Sequence, residues 1–156
     1  MADLALLERL CCARGISGCE EEIREIILEE IRPYADCVEV TPLGNLLAFK
    51  KGANRAKTKL MLNAHMDEVG FMVLGINDNG LLSYEPVGGV DARVVVSKPV
   101  LVGEKEVPGV IGAKAIHLQT RAEFEKVLKH EDLYIDIGAS TKEEAEKLVS
   151  VGDYVS

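Results

Sequence analysis

The sequence predicts a mixed α/β protein, with an α/β layer in residues 1–68 and a small β-barrel or sandwich in residues 69–156. Two amphipathic helical patterns come first. They are followed by Leu60-Met61-Leu62, which is as apolar as a strand covered on both faces. Beyond His65, short β-branched runs are separated by closely spaced turns. No flexible linker marks the boundary near residue 68, and the sequence contains no internal repeat.

The helices of the first segment are predicted from leucine and isoleucine spacing. One helix runs from Asp3 to Ala13 and stops before Gly15. Ser17 precedes Glu20 by three residues, a capping-box pattern that opens a second helix, and Pro33 marks its end. The apolar stripe of this helix comprises Ile23, Ile26, Ile27 and Ile31.

The rest of the first segment is predicted as strands. Residues 38–40 and 46–49 flank a turn at 42–45, a polar loop covers 50–57, and residues 59–63 form the buried strand. In an open α/β sheet, ligands bind at the carboxyl ends of such strands. Polar residues just after residue 63 are therefore candidates for a functional site.

The second segment is predicted to be mostly strands. Asp78-Asn79-Gly80 is a strong hairpin signal between its first two strands. The predicted strands are residues 70–77, 81–86, 94–96, 99–102, 107–111 and 133–137.

Two helices interrupt these strands. One begins at Thr120, with Glu123 three residues later, and the other at Ser140, with Glu143 three residues later. The residues expected to be buried are Phe124, Val127 and Leu128 in the first of these helices and Ala145, Leu148 and Val149 in the second.

Composition restricts the function classes. The 156 residues carry a net charge of −8, which disfavours binding to nucleic-acid phosphates. No apolar run approaches the ~20 residues of a membrane helix, and the N-terminal stretch carries acids where a signal peptide has a basic head. The cysteines, which lack CxxC spacing, are expected to be reduced, buried small side chains: Cys11, Cys12, Cys19 and Cys37. We therefore expect a soluble, cytoplasmic protein without nucleic-acid or membrane partners.

The most informative polar residues are His65, Asp67 and Glu68, directly after the predicted buried strand. On an extended backbone His65 and Asp67 point to the same face, so the carboxylate can receive one ring N–H while the other nitrogen binds a metal. A histidine at a strand end is also commonly structural, and Glu68 could equally be a solvated or capping carboxylate. Residue spacing alone leaves these alternatives open.

Four other residues are given structural roles. We expect His117 to serve in packing or in an interface, and His130 to lie at a helix C-terminus. Asp91 and Arg93 are expected to form a turn cap and a surface pair.

Ala64-His65-Met66-Asp67-Glu68-Val69-Gly70 closely resembles the first metal-binding motif of a family of dinuclear metallo-aminopeptidases. This family comprises glutamyl, deblocking and tetrahedral aminopeptidases and some proteins with an endoglucanase label. Further segments resemble the family in the same order, so that the resemblance covers essentially the whole chain: residues 15–20, 43–46, 88–91, 109–114 with His117, and 134–139.

The resemblance implies a specific architecture and site. Residues 1–68 would be the N-terminal part of a zinc-exopeptidase α/β/α domain, and residues 69–156 an inserted β-barrel-like dimerisation domain that makes a homo-oligomer. His65 matches a ligand to one of two divalent ions, zinc or cobalt. Asp67 matches the catalytic carboxylate that orients and tunes the site, and Glu68 is a candidate to support these two residues by hydrogen bonds. The substrates would be peptides, which lose N-terminal residues to a water activated by both metals.

In the family, the other metal ligands and the general-base glutamate follow the dimerisation domain. We therefore expect this chain to be an N-terminal portion that is inactive alone. It should bind no metal tightly, because each zinc takes about four donors. We also expect exposed apolar surface in the first segment. The alternative is a non-catalytic oligomerisation module, from a truncated gene product or a stable fragment. Glycan hydrolysis has no support, because no carboxylate pair is placed for it and aromatic residues make up 4% of the chain.

Overall fold

The computed structural model describes residues 4–54 and 58–156. The chain folds as two compact units, Met1–Glu68 and Val69–Ser156. The first unit is mixed α/β, and the second is built around a closed six-stranded barrel, which confirms the predicted fold class. The predicted helix start at Asp3 and positions 55–57 of the predicted polar loop lie outside the described residues.

The first unit begins with helices α1 (Leu4–Cys12) and α2 (Glu21–Ile31), and a short 3-10 turn (Arg32–Tyr34) follows α2. Strands β1 (Cys37–Val40) and β2 (Leu46–Phe49) then pair antiparallel. The isoleucine stripe of α2 is half-buried, so the amphipathic pattern correctly identified its inward face.

The predicted buried strand at residues 59–63 is wrong. This stretch has no strand assignment, and Leu60 and Leu62 are both 88% exposed. An apolar run becomes a central strand only where neighbouring strands satisfy its backbone and a second layer covers its side chains. Within the described part of the first unit, the β1–β2 pair is the sheet present, and it does not include residues 59–63.

The first unit has little core. Its buried hydrophobic residues in the described ranges are Ala13 and Ile16. The exposed apolar surface expected from the sequence is therefore present. It comprises Leu4, Leu7, Tyr34, Val40, Leu43, Leu47, Phe49, Leu60, Met61 and Leu62.

The second unit is a barrel rather than a sandwich. Its strands pair antiparallel in the closed order β3-β4-β7-β6-β5-β8. The sequence did not predict β8, whose Val155 pairs with both Phe71 and Val102 and so closes the barrel. The strands are β3 (Gly70–Ile76), β4 (Leu82–Val87), β5 (Pro99–Val102), β6 (Val107–Ala113), β7 (Leu133–Asp136) and β8 (Tyr154–Val155).

The barrel interior is a continuous apolar core. The largest fully buried side chains come from six different strands: Val73, Leu82, Val102, Ile111, Ile135 and Val155. The rings of Phe71 and Tyr84, which are also buried in this core, pack edge-to-face with centroids 4.8 Å apart. Alternating buried and exposed positions along β5 show the period-two pattern of a strand with one face inside.

Residues 94–96, predicted as a strand, instead overlap helix α3 (Ala92–Val95). The Asp91 carboxylate accepts a hydrogen bond from the backbone N–H of Arg93 at 2.9 Å, which caps the helix start. Its side chain also pairs with the Arg93 guanidinium. The predicted turn cap and surface pair are thus both present, and the cap explains why a β-branched run is helical here.

The two other helices are short. Helix α4 (Arg121–Phe124) has the predicted capping box between Thr120 and Glu123, but Phe124 and Val127 are 65% and 70% exposed, so their predicted burial is wrong. A single turn of helix is too short to present a buried stripe. Only Leu128 of the predicted trio packs partly against the core.

Helix α5 (Lys142–Ala145) is capped by Thr141, whose hydroxyl accepts from the Glu144 N–H, one residue later than predicted. Ala145 and Val149 are buried as expected, whereas Leu148 is 42% exposed. Within residues 4–54 and 58–156, no helix has the length and hydropathy to cross a lipid bilayer.

The cysteines are free thiols, as the spacing predicted. Their predicted burial is wrong, because Cys11, Cys12 and Cys37 are exposed and Cys19 is half-buried. The cause is the small core of the first unit, in which α1 and α2 bury no residue fully.

Candidate functional site

The candidate site lies in the loop at residues 65–68, at the end of the first unit. The loop follows residues 59–63 and precedes β3. It contacts the turn between α1 and α2, because the Glu68 N–H donates to the Gly15 carbonyl at 2.7 Å. Two segments separated by about fifty residues of sequence are thereby brought side by side.

His65 and Asp67 face each other, as their spacing predicts. The His65 Nδ1 lies 3.0 Å from the Asp67 Oδ1 and 2.9 Å from the Asp67 backbone oxygen. An ionised carboxylate and a carbonyl only accept hydrogen bonds, so Nδ1 carries the proton. The imidazole, 85% exposed, then presents the lone pair of Nε2 outward.

The second oxygen of Asp67 has a different partner. The Ser17 hydroxyl donates to the Asp67 Oδ2 at 2.5 Å. This hydrogen bond holds the pKa of the Asp67 carboxyl below its usual range, and the contact with His65 acts in the same direction. The carboxylate is therefore charged and held at both oxygens.

Glu68 has a structural position in this loop. Its Oε1 accepts from the Gly15 N–H at 3.2 Å, and its backbone forms a parallel bridge with Ile16. These contacts hold the loop against the α1–α2 turn. In the structure Glu68 is thus bound to the backbone of the turn, and the hydrogen bonds to His65 and Asp67 come from other groups.

These residues fit one ligand of a metal centre and not a complete centre. His65 offers a free Nε2, and Asp67 supports the opposite ring nitrogen in the arrangement common to metal-bound histidines. However, the part of the chain that the structure describes contains no group of three or more His, Cys, Asp or Glu side chains placed to hold a metal ion. A zinc ion takes about four donors, so a zinc ion bound by His65 would need further ligands from outside these residues.

The other candidate histidines lie in the second unit. His117 is exposed in a 3-10 turn (Ile116–Leu118), so packing within the described chain does not explain it. His130 begins a 3-10 turn rather than ending an α-helix, because the predicted helix stops at Phe124. Its Nε2 lies 2.9 Å from the Val90 carbonyl and its Nδ1 lies 3.2 Å from the Tyr84 hydroxyl, so it links this 3-10 turn to strand β4 and to the loop after it.

Sequence reasoning missed Ser17 as a site residue. Its spacing to Glu20 predicted a helix cap, but α2 begins at Glu21 and its start has no side-chain cap hydrogen bond. The hydroxyl is therefore available to Asp67. No local pattern identifies a contact between residues fifty positions apart; only the segment Gly15–Glu20, matched as a motif, marked this turn at all.

Known proteins resemble this chain over most of its length. The family model for M42 glutamyl aminopeptidases matches residues 44–156. A "Putative aminopeptidase" of Acetivibrio thermocellus is 44% identical over 148 residues, which cover 95% of this chain and 42% of that protein.

Solved structures give the same result. A TET aminopeptidase from the marine sediment archaeon Thaumarchaeota archaeon SCGC AB-539-E09 superposes with a TM-score of 0.87 at 37% identity, over 97% of this chain and 43% of that one. A Pyrococcus horikoshii TET1 peptidase, described as assembling into a tetrahedron or a large octahedral shell, superposes with a TM-score of 0.82 at 41% identity, over 97% and 45%.

The chain thus spans less than half the length of each of these relatives. The family model nevertheless covers well over half of the chain, including His65, Asp67 and the whole barrel. The chain belongs to the M42 glutamyl aminopeptidase family.

Proposed function

We propose that this chain is the N-terminal portion of a metal-dependent aminopeptidase that removes N-terminal residues from peptides. The observation that carries the proposal is His65, whose Nδ1 is held by Asp67 so that Nε2 is exposed, in a chain of the M42 family. In this proposal His65 is a metal ligand and Asp67 is the carboxylate that fixes its tautomer and orientation.

Two divalent ions, zinc or cobalt, would supply an activated water when bound. The residues of this chain contribute the orientation of one ligand: Asp67 accepts the Nδ1–H and keeps the ring from rotating. Glu68 contributes by tying the loop to Gly15. The remaining ligands and the general base are supplied by residues outside this chain, so the 156-residue chain alone is inactive and binds no metal ion tightly.

The experiment compares two proteins from the same gene. The 156-residue chain and the product of the reading frame extended past Ser156 are assayed with an aminoacyl-p-nitroanilide and added zinc or cobalt. The extended product should hydrolyse it, and H65A should abolish that activity, whereas the control K98A, at an exposed residue of the barrel unit, should retain it. Hydrolysis by the 156-residue chain would contradict the proposal.

A stop codon directly after Ser156 would favour the alternative function, a non-catalytic assembly module. The barrel supports this alternative, because it is closed and has its own core. The extended protein decides between the two functions, since an assembly module gains no peptidase activity from added residues. A cytoplasmic location belongs to both proposals and is supported by the free thiols of the described cysteines.

The second part of the proposal is homo-oligomerisation through the second unit. Residues 114–132, here called the 114–132 segment, support it by their charge balance. The segment holds four cations and four anions in a chain of net charge −8. They form one-to-one ion pairs, Lys114–Glu123, Arg121–Glu125, Lys126–Asp132 and Lys129–Glu131.

A neutral segment is where two copies of an acidic chain approach with the least repulsion. The same segment exposes apolar side chains that an interface would cover, and His117 lies among them: Ile116, Leu118, Phe124 and Val127. A second copy of this chain is therefore the partner that the segment fits best. The Pyrococcus horikoshii relative, which can assemble into a tetrahedron or a large octahedral shell, supports self-association as well.

Light scattering on the purified chain tests this. The wild type should self-associate, and F124Q should weaken association by about tenfold or more, as loss of a central aromatic contact does. V94Q is the matched control, because Val94 is equally exposed on the barrel unit but lies outside the segment. A monomeric wild type, or an equal effect of both variants, would overturn the assignment.

A further inference from the structure

The geometry points to Ser17 as a positioning residue for the candidate site. We infer that its hydroxyl fixes the Asp67 carboxylate, so that the other carboxylate oxygen holds the His65 Nδ1–H and leaves Nε2 free to bind. This inference rests on the proposed function of His65 and Asp67 and extends it to a residue outside the metal motif.

The first step is the division of the two carboxylate oxygens between two partners. Ser17 occupies Oδ2 at 2.5 Å, and His65 occupies Oδ1 at 3.0 Å. The terminal torsion of an aspartate is broad, and the Asp67 side chain is 42% exposed, so one partner alone would leave the carboxylate free to rotate. The Ser17 hydroxyl removes that freedom.

The second step is that Ser17 itself is held. The neighbouring Ile16 is 3% exposed and bridges in parallel to Glu68. The Cys19 N–H donates to the Ile16 carbonyl at 2.7 Å, which closes the turn around Ser17, and Gly18 adopts the positive φ of 91° that this turn needs.

The turn is also fixed against the loop that carries Asp67. Gly15 and Glu68 exchange two hydrogen bonds, at 2.7 Å and 3.2 Å. A Cβ at position 15 would lie 3.0 Å from the Ile23 Cγ2 and 3.2 Å from the Met66 carbonyl oxygen, so the two segments are in close contact there. The hydroxyl is therefore presented by a fixed backbone rather than by a mobile loop.

The third step is the consequence for His65. Among the described residues, the His65 ring makes two hydrogen bonds. Both involve Nδ1, and both are made with Asp67. The tautomer of the imidazole is set by the partner of one nitrogen, and that partner is the carboxylate that Ser17 holds. Removal of the Ser17 hydroxyl should therefore change the tautomer of His65 through Asp67, without any direct contact between Ser17 and His65.

The test is nitrogen-15 NMR of the His65 ring in the full 156-residue chain at mildly alkaline pH. In the wild type we expect the Nδ1–H tautomer to dominate. S17A should lower its population at least twofold, and S17T, which keeps a hydroxyl, should restore it. S83A is the matched control, because the Ser83 hydroxyl donates to the Gly75 carbonyl in the barrel. Unchanged amide signals from the barrel would show that each variant folds.

Two further outcomes are decisive. If D67N changes the His65 tautomer and S17A does not, the inference for Ser17 is overturned while the proposed role of Asp67 stands. If neither variant changes it, the contact between Asp67 and His65 does not control the ring, and the proposed role of Asp67 fails as well.

Discussion

The two units of the chain differ in how completely they bury their apolar side chains. The barrel encloses side chains from all six of its strands, and each strand contributes one side chain that is less than 2% exposed. The first unit buries Ala13 and Ile16 and leaves Leu60, Met61 and Leu62 more than 80% exposed. Similar local patterns therefore lead to a closed core in one unit and to open apolar surface in the other.

The difference arises from sheet closure. A barrel supplies every strand with two neighbours, so each apolar face is covered from within the same unit. The two-stranded sheet of the first unit cannot cover a third apolar stretch. The site loop follows that uncovered stretch and is stabilised by polar contacts to the α1–α2 turn rather than by a core.

The largest effect is expected from leucine truncation in the barrel. L82A removes a side chain with no exposure and should lower the free energy of unfolding by about 2–5 kcal/mol. L62A removes the same atoms from a side chain that is 88% exposed and should change it by less than about 0.5 kcal/mol. Urea unfolding, followed by the near-ultraviolet circular dichroism of the packed Tyr84, measures both variants. Equal losses would mean that residues 60–62 are covered in solution.

The parts of the barrel that could be predicted from sequence are those specified by residues close together in the chain. The Asp78-Asn79-Gly80 turn defines the hairpin of β3 and β4, and Gly80 has the positive φ of 80° that the turn requires. Strand β8 could not be predicted, because two residues carry no periodicity and their pairing with β3 and β5 depends on the closed barrel. The strand prediction for residues 59–63 failed for the opposite reason. Their apolar pattern is strong, but the β1–β2 sheet of the first unit does not include them.

A smaller effect is expected where a half-buried glycine permits close packing on the barrel wall, between β6 and β7. A Cβ at Gly112 would overlap the Tyr134 ring, so G112A must displace that ring and should cost about 1–3 kcal/mol. Gly89 is the control, because a Cβ there meets nothing within 4 Å and its φ is not in the left-handed region.

Thermal unfolding of G112A and G89A in the same buffer measures this difference. The first variant should have the lower midpoint, and the second should match the wild type within a few degrees. If G112A is as stable as G89A, the Tyr134 ring is free to move, and the barrel wall is less tightly packed at β6 and β7 than the structure shows.

The site was predictable to the extent that it is local. His65 and Asp67 are two residues apart, and an extended backbone brings such side chains to one face. Ser17 and Gly15 were not predictable, because their contacts with Asp67 and Glu68 join segments about fifty residues apart. A serine before a glutamate is also a common helix-start pattern, and this local interpretation concealed the long-range one.

The smallest effect concerns pH and the 114–132 segment, which is ordered by polar contacts. The Glu123 carboxylate accepts from the Lys114 ammonium and from the Thr120 N–H and hydroxyl, which lowers its pKa from 4.5 to about 2. A group whose pKa is depressed by folding stabilises the folded state above its unfolded value, and this contribution is lost as the pH falls. The capping box should therefore loosen between about pH 4.5 and pH 2.

Carbon-13 NMR of the Glu123 carboxyl group and proton–nitrogen NMR of the Thr120 amide follow this transition. Both signals should move together with a midpoint well below the ordinary glutamate range, and E123Q should abolish the transition of the Thr120 amide while leaving the barrel unchanged. Signals from the barrel interior should not move over this range, because the described residues include no buried polar or charged side chain. A Thr120 amide that stays fixed down to pH 2 would mean that apolar contacts, such as those of a second copy of the chain, hold the segment in place of the carboxylate.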